Sequence, residues 1–493
     1  MMRDLLDTTT KRRLAILEEL NLRAGWISSN ELAEHNNASL RTISNDINYL
    51  KEQGAKYFQI EISKKNGVRL NTFVNSQIAH VYSLVMRQSE TFNFIEKILF
   101  NANTPIEEWA EKLFISDSSI YRIANQMKDS FSEYEIELNQ RPCYLKSTHE
   151  NYVRHFYTHY FAETYGVHNW PYDLDKKIIV QLSEEVYKMS GLYSDEFLLS
   201  QCSHLIAIGI IRYQQGFYYS ADPQKKLPSD IMKRLYDNER FMELIYSLQL
   251  DNIDHFLNDF INNIYFLKAN WLEPEKHQTI GNEINEYLNL LEIGLGVPID
   301  EASRKHTVDA LTILNYKYLD YPKSDFVLFD RYSFNIKALE SSFPFFCKVV
   351  AKNLHNWENR TGFPWSTTFN NKVTYWTIIT WQSLPTLLEN KRPKASLLIF
   401  NDLGHAHAEL LVEMINKNFM NKVETTIYPA STMFLEEADI EFVSQFDYFI
   451  ANFYNDIFPK NKTIVIEPIP SDQDWAKLRH AIHRIYRGSK DSN

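Results

Sequence analysis

The sequence predicts a multidomain, mainly α chain: two N-terminal winged helix-turn-helix domains, two all-helical bundles and a C-terminal α/β domain. Part of the first 150 residues repeats at a constant offset. The middle carries apolar runs at helical spacing with few strand signals. The last hundred residues alternate short apolar strands with helices. With 493 residues, 44% hydrophobic and 23% charged, the chain has apolar material for several cores, and intrinsic disorder is excluded as its main state. Lys+Arg 52 against Asp+Glu 63 gives a net charge of −11, so general polyanion binding is excluded and any nucleic-acid contact must come from a local patch. Cys143, Cys202 and Cys347 follow no ligand spacing, which argues against a disulfide framework, a zinc finger or any other metal site, and fits a reducing cytoplasm. The first residues carry acids and no long apolar run, so neither a secretory signal nor a membrane helix of roughly 18 apolar residues is expected.

Residues 1–75 and 76–160 read as the two winged helix-turn-helix domains. Glu31-Leu32-Ala33-Glu34 returns as Glu108-Trp109-Ala110-Glu111, 77 residues later, and the same offset pairs Ser39 with Ser116, Ile43 with Ile120 and Lys51 with Lys128. In the first copy Ser28 or Ser29 caps a short helix to His35, Asn36-Asn37-Ala38 supplies the turn, and Ser39 caps a helix Leu40–Lys51. Leu40, Ile43, Ile47 and Leu50 form its expected buried stripe. Ser39, Arg41, Thr42, Ser44, Asn45, Asn48 and Lys51 form the polar face expected to enter a major groove. Alternating residues on either side of Asn66-Gly67 predict a hairpin whose Lys64, Lys65 and Arg69 reach phosphates. In the second copy Pro105 starts the motif and Ser116 caps a helix Asp117–Lys128. Ser118, Ser119, Tyr121, Arg122, Asn125 and Lys128 face outward, and the expected wing is 135–138 with 144–146. By count from the sequence, residues 1–70 hold 11 basic and 9 acidic side chains, and residues 71–150 hold 7 and 11. Charge therefore supports the first copy more than the second.

Residues 165–275 and 276–390 read as two helical bundles. Amphipathic helices are expected at Leu198–Tyr213 and Val308–Tyr318. An offset near 102 pairs His204-Leu205-Ile206 with His306-Thr307-Val308; His255 and His355 follow about 50 residues later in each half. These four histidines lack the close company of a metal site. Each reads either as a helix-face histidine satisfied by a neighbour or as a phosphoryl acceptor, since a neutral imidazole is a good nucleophile and phosphorylation adds about two negative charges.

Residues 393–488 read as the α/β domain, with strands at 396–400, 425–428, 448–451 and 463–466 and helices at 405–419 and 472–486. The first strand-to-helix turn, Asn401-Asp402-Leu403-Gly404, holds no Cys and no glycine-rich phosphate cradle, so a structural or interacting role is expected.

This order resembles the Mga/AtxA family of transcriptional and virulence regulators of low-GC Gram-positive bacteria. The resemblance rests on the in-register helix-turn-helix pair followed by the segment around Cys202-Ser203-His204-Leu205-Ile206. It implies a DNA-binding regulator, an activator in kind and not an enzyme, with no cofactor, working as a homodimer or larger homo-oligomer. The bundles would be the regulatory domains (PRD) of the sugar phosphotransferase system, phosphorylated by its histidine-containing phosphocarrier, with His204 foremost, His306 next, and His255 and His355 after them. RNA polymerase would be a further partner, and a cytoplasmic location follows. The end domain would resemble a phosphotransferase IIB component that lacks the phosphoryl-accepting Cys, and would serve assembly. A phosphocarrier or enzyme component of that system and an RNA-binding antiterminator are the rival readings.

Overall fold

A computed structural model describes residues 2–23, 25–73, 78–219, 227–391 and 393–488. Two compact units are present. One comprises Met1–Asn289, Asp300–Leu339 and Trp357–Thr380, the other Leu290–Ile299, Glu340–Asn356 and Trp381–Asn493.

The first unit opens with α1 (Thr8–Leu22), α2 (Ser29–His35), α3 (Leu40–Gln53) and the hairpin β1 (Phe58–Ser63) and β2 (Gly67–Thr72). The hairpin is antiparallel, pairing Ser63 with Gly67. Gly67 has φ 99°, a backbone state that glycine enters without the Cβ penalty. Leu14, Leu17, Leu32, Ile43, Ile47 and Phe58 close the core of this first domain. The second domain repeats the plan: α4 (Ile78–Gln88), α5 (Glu90–Phe100), α6 (Trp109–Leu113), α7 (Asp117–Ser132), β3 (Glu137–Gln140) and β4 (Cys143–Lys146). Its wing starts two residues later than expected because Glu135, with φ 55°, still turns the chain away from α7.

Helices follow: α8 (Glu150–Tyr165), α9 (Lys176–Ser190), α10 (Glu196–Gln214), α11 (Ser229–Tyr236), α12 (Glu239–Ser247), α13 (Ile253–Asn263), α14 (Tyr265–Leu272), α15 (Pro274–Leu295), α16 (Glu301–Asp320), α17 (Arg331–Ser342), α18 (Pro344–Thr361), α19 (Asn370–Thr380) and α20 (Leu384–Asn390). The sequence predicts α10 as amphipathic, yet its whole middle turns inward: Cys202 through Ile210 are all buried. Such a helix is surrounded by protein instead of lying on it. Among its neighbours, α8 contributes Phe156, Tyr157, Tyr160 and Phe161 to the core. Four buried charges tie these helices together. Arg154 of α8 donates to Asp259 of α13 at 2.7 and 3.1 Å. Arg212 of α10 donates to both oxygens of Glu150 at 2.7 Å.

In the second unit, β5 (Ala395–Phe400), α21 (His405–Phe419), β6 (Val423–Ile427), α22 (Ile440–Ser444), β7 (Tyr448–Ala451), β8 (Thr463–Val465) and α23 (Asp472–Gly488) build a parallel sheet of order β6-β5-β7-β8. Strand alternation sends Leu397, Ile399 and Ile450 toward Leu411 and Leu478, and Leu398, Phe400 and Phe449 toward Leu435 and Val443. At the carboxyl ends of the strands, Asn452 donates to Asp402 at 2.6 Å and Leu403 N–H donates to Asn401 at 2.6 Å. The turn is tied by amides and a carboxylate, with no thiol.

Cys143 and Cys202 are buried and Cys347 is half-buried; none is in a disulfide. Burial pushes the Cys143 and Cys202 thiols up to about 12 and Cys347 up to about 11.

Candidate nucleic-acid interface

Two serine caps set α3 and α7. Ser39 Oγ accepts the Thr42 N–H at 3.1 Å, and Ser116 Oγ accepts the Ser119 N–H at 3.2 Å; each satisfies one of the donors a helix start leaves open. Ser28, not Ser29, caps α2 through Glu31 N–H. The turns between the paired helices use a left-handed residue at the same place in both copies, Asn37 with φ 47° and Phe114 with φ 56°. Phe114 is 95% exposed, a large ring where the first copy has an amide.

On α3, Ser39, Arg41, Ser44, Asn45, Asn48 and Lys51 are exposed, and Thr42 is half-buried beside the cap. The expected stripe needs one correction. Ile43, Ile47 and Leu50 are buried, but Leu40 is 51% exposed, because the first residue after the cap projects away from the core. Sequence reasoning also missed Asp46. It is buried, and it accepts from Arg12 Nε at 2.6 Å and Arg13 Nε at 2.9 Å, pinning α3 to α1. Arg13 also covers the Tyr49 ring at 3.4 Å. Two arginines that inflate the basic count of the first domain are thus spent on its fold.

Lys64 and Lys65 are exposed at the hairpin tip. Arg69 is committed elsewhere: it pairs with Glu61 across the hairpin at 2.8 Å and lies over Trp26 at 4.9 Å, so a phosphate would compete with Glu61 for it. On α7, Ser118, Tyr121, Arg122, Asn125 and Lys128 are exposed and Ser119 is half-buried. Arg122 meets Glu90 only at 4.0 Å. The N-terminal turn Met2–Leu5 packs against α7, and Gln126 donates to the Asp4 carbonyl. The two domains are therefore joined directly.

The histidines are arranged in a different order from the expectation. His204 is 2% exposed; its Nδ1 lies 2.8 Å from the Tyr172 hydroxyl and its ring stacks on Trp170. His306 is half-buried against Tyr193 at 4.1 Å. His255 is half-buried with Nδ1 3.0 Å from the Tyr213 hydroxyl, and His355 is exposed. The most favoured acceptor in the sequence is thus the one the fold closes off.

Burial pulls the His204 imidazole down to about 4, and burial also lowers His155 and His159. An unfolded histidine takes its proton near pH 6.5. His204's contribution is therefore complete above about pH 6.5 and is lost as pH falls toward 4. Between pH 7 and pH 5 it should cost the fold about 2 kcal/mol. Urea unfolding at the two pH values checks this, and His204→Gln should flatten the difference by that amount.

Among the described residues no helix is long and apolar enough to cross a membrane. A family model described as "Mga helix-turn-helix domain" matches residues 74–161, and one described as "HTH domain" matches residues 12–69. The chain is 24% identical over 471 residues to a candidate trans-acting regulator of Streptococcus pneumoniae, covering 92% of this chain and 93% of that one. Against the capsule synthesis positive regulator AcpB of Bacillus anthracis it is 24% identical over 213 residues, 43% of this chain and 44% of the other. Against the anthrax toxin expression trans-acting positive regulator of the same organism it is 21% identical over 206 residues, 42% and 43%.

Proposed function

We propose that this chain, a regulator of the Mga/AtxA type, binds double-stranded DNA through both winged helices and activates transcription. The observation that carries the reading is the pair of serine-capped helices, 77 residues apart, each with an exposed polar face. The relatives named as positive regulators support activation over repression. The first domain supplies most of the affinity, through Lys64, Lys65 and the α3 face, and the second adds contacts from Arg122, Asn125 and Lys128. Each phosphate contact should contribute about 0.9 to the slope of log affinity against log salt. Lys64→Ala with Lys65→Ala should therefore lower the slope by about 2 in gel shifts with genomic duplex fragments, weakening all fragments alike. An unchanged slope removes the wing from the interface, and structured RNA bound in preference to duplex would favour the antiterminator.

The finer reading keeps two PRD-like regulatory bundles at 165–275 and 276–390 and a IIB-like domain at 393–488. Among the four candidate histidines, accessibility favours His355, His306 and His255 as acceptors from a histidine-containing phosphocarrier; His204 would first have to leave its pocket. Phosphohistidine mapping after incubation with the phosphocarrier tests the order, and label on His204 alone would reverse it. Homo-oligomerisation fits the end domain, which leaves Met433, Phe434 and Ile440 exposed and has amides where a IIB transfer site would need a thiolate.

A further inference from the structure

A cavity of about 890 Å³ opens inside the first unit, between α4, α8, α10, α14, α16 and the segment 325–332. That lies within the roughly 300–1,000 Å³ of small-molecule sites. Part of the lining is aromatic, with Tyr187, Phe197, Tyr265, Phe266, Tyr332 and Trp376. Part of it is ionic. In a chain of net charge −11, three Lys/Arg (Arg87, Lys317 and Arg331) line the cavity against two carboxylates, Glu163 and Asp325.

Both carboxylates are already engaged. Glu163 accepts the backbone N–H groups of Val327, Leu328 and Phe329, the last two at 2.9 and 3.1 Å. Asp325 is shared by two lysines, Lys372 at 2.8 Å and Lys317 at 3.7 Å. Lys317 and Lys372 thus balance Asp325 and Glu163, and over the lining as a whole three cations stand against two carboxylates, one positive charge in excess. His159 stands beside this group, 3% exposed, with a buried Nε2 that has no hydrogen-bond partner. A buried polar atom left unpaired costs free energy, and His159 is among the residues lining the cavity. Arg331, exposed and lying over Phe197 at 4.8 Å, and Arg87, also exposed, make the approach cationic. Burial lowers the Lys317 ammonium to about 8 against the opposing effect of Asp325.

We infer that this cavity binds a small organic acid, a monocarboxylate with an aromatic or branched apolar body, and that it is an effector site for the first DNA-binding domain. A single carboxylate matches the single surplus charge; a phosphate dianion would exceed it. His159 Nε2 and Lys317 would hold the carboxylate, and the ring wall would take the apolar body. The link to the reading domain is short. Phe329, held through Glu163, packs on Tyr82 with ring centroids 4.7 Å apart. The Tyr82 hydroxyl donates to Glu18 of α1, and Glu18 also pairs with Arg3. Tyr57, just before β1, also lines the cavity and packs on His80. This site goes beyond the DNA reading; only its coupling depends on that reading.

Calorimetry on the full chain with 3-phenylpropionate and 4-methylpentanoate, against their uncharged amides, tests the site. At least one acid should bind saturably, one per chain, at or below about 1 mM, with its amide at least ten-fold weaker. Lys317→Met should weaken the acid at least ten-fold, and Arg331→Gln, at the exposed mouth, at least three-fold with the fold intact. The site is overturned if neither acid saturates, if amides bind as well as acids, or if a folded Lys317→Met keeps full affinity. If Lys317→Met does not fold, unchanged binding by Arg331→Gln overturns it. Gel shifts with the same protein, with and without saturating acid, should differ at least three-fold in DNA affinity; equal affinities overturn the coupling. Loss of DNA binding without acid would sink the DNA reading while leaving the calorimetry to stand.

Discussion

Asp259→Ala is expected to lower the unfolding free energy of the first unit by about 3–5 kcal/mol. Asp259 accepts from both Nη atoms of Arg154 and from the Tyr219 N–H at 2.6 Å. Arg154 is fully buried. Its remaining ionic partner, Glu150, at 3.3 Å, is already held bidentately by Arg212. With Asp259 present the group has two cations and two anions; without it, one buried positive charge has no counterpart. The attraction within a buried pair roughly offsets its desolvation, so the damage comes from stranding a charge and not from losing a bond. A double change, Arg154→Met with Asp259→Leu, should recover part of the loss, because it removes both the cation and its counter-ion. Urea unfolding of both variants measures this. An Asp259→Ala loss below about 1 kcal/mol, the range of exposed pairs, would mean that water reaches Arg154.

Arg41→Ala combined with Asn45→Ala is expected to weaken specific DNA binding by about 2–5 kcal/mol, at least thirty-fold, while leaving helix content unchanged. The two side chains stand one helical turn apart on the exposed face of α3, so both can reach base edges from one docking pose. Neither belongs to the core, which is closed by Ile43, Ile47 and Leu50 from the opposite face. Gel shifts on a preferred fragment and on a scrambled one separate the outcomes. A loss confined to the preferred fragment marks base reading, and an equal loss on both marks backbone contact alone. Binding unchanged on both would take α3 out of the groove.

Local signals made much of this molecule legible. The Asn-Gly hairpin, the serine caps and the 77-residue offset are written in neighbouring residues, and the winged helices follow them closely. The four strands and flanking helices of the end domain lie within two residues of expectation. What stayed hidden depends on partners far along the chain. Asp46 reads as one more polar residue of α3 until Arg12 and Arg13 arrive from 34 and 33 residues away. His204 looks like an available nucleophile until Tyr172 and Trp170 close over it. Both sides of the middle of α10 are apolar enough for burial, and only the packing of α8, α9 and α13 decides that Cys202 through Ile210 all turn inward. The cavity is the extreme case: its lining runs from Tyr57 to Trp376, a span no periodicity reports.

The state of the three cysteine thiols has a practical side. Thiolate is the form that attacks alkylating reagents, and at neutral pH almost none is present where burial holds the proton on. A maleimide dye should therefore pass over the native chain and couple to one newly placed thiol. With Glu52→Cys or Asp129→Cys as the attachment point, both exposed and outside the residues proposed to meet DNA, a single fluorophore would report duplex binding at each winged helix without any native cysteine being removed.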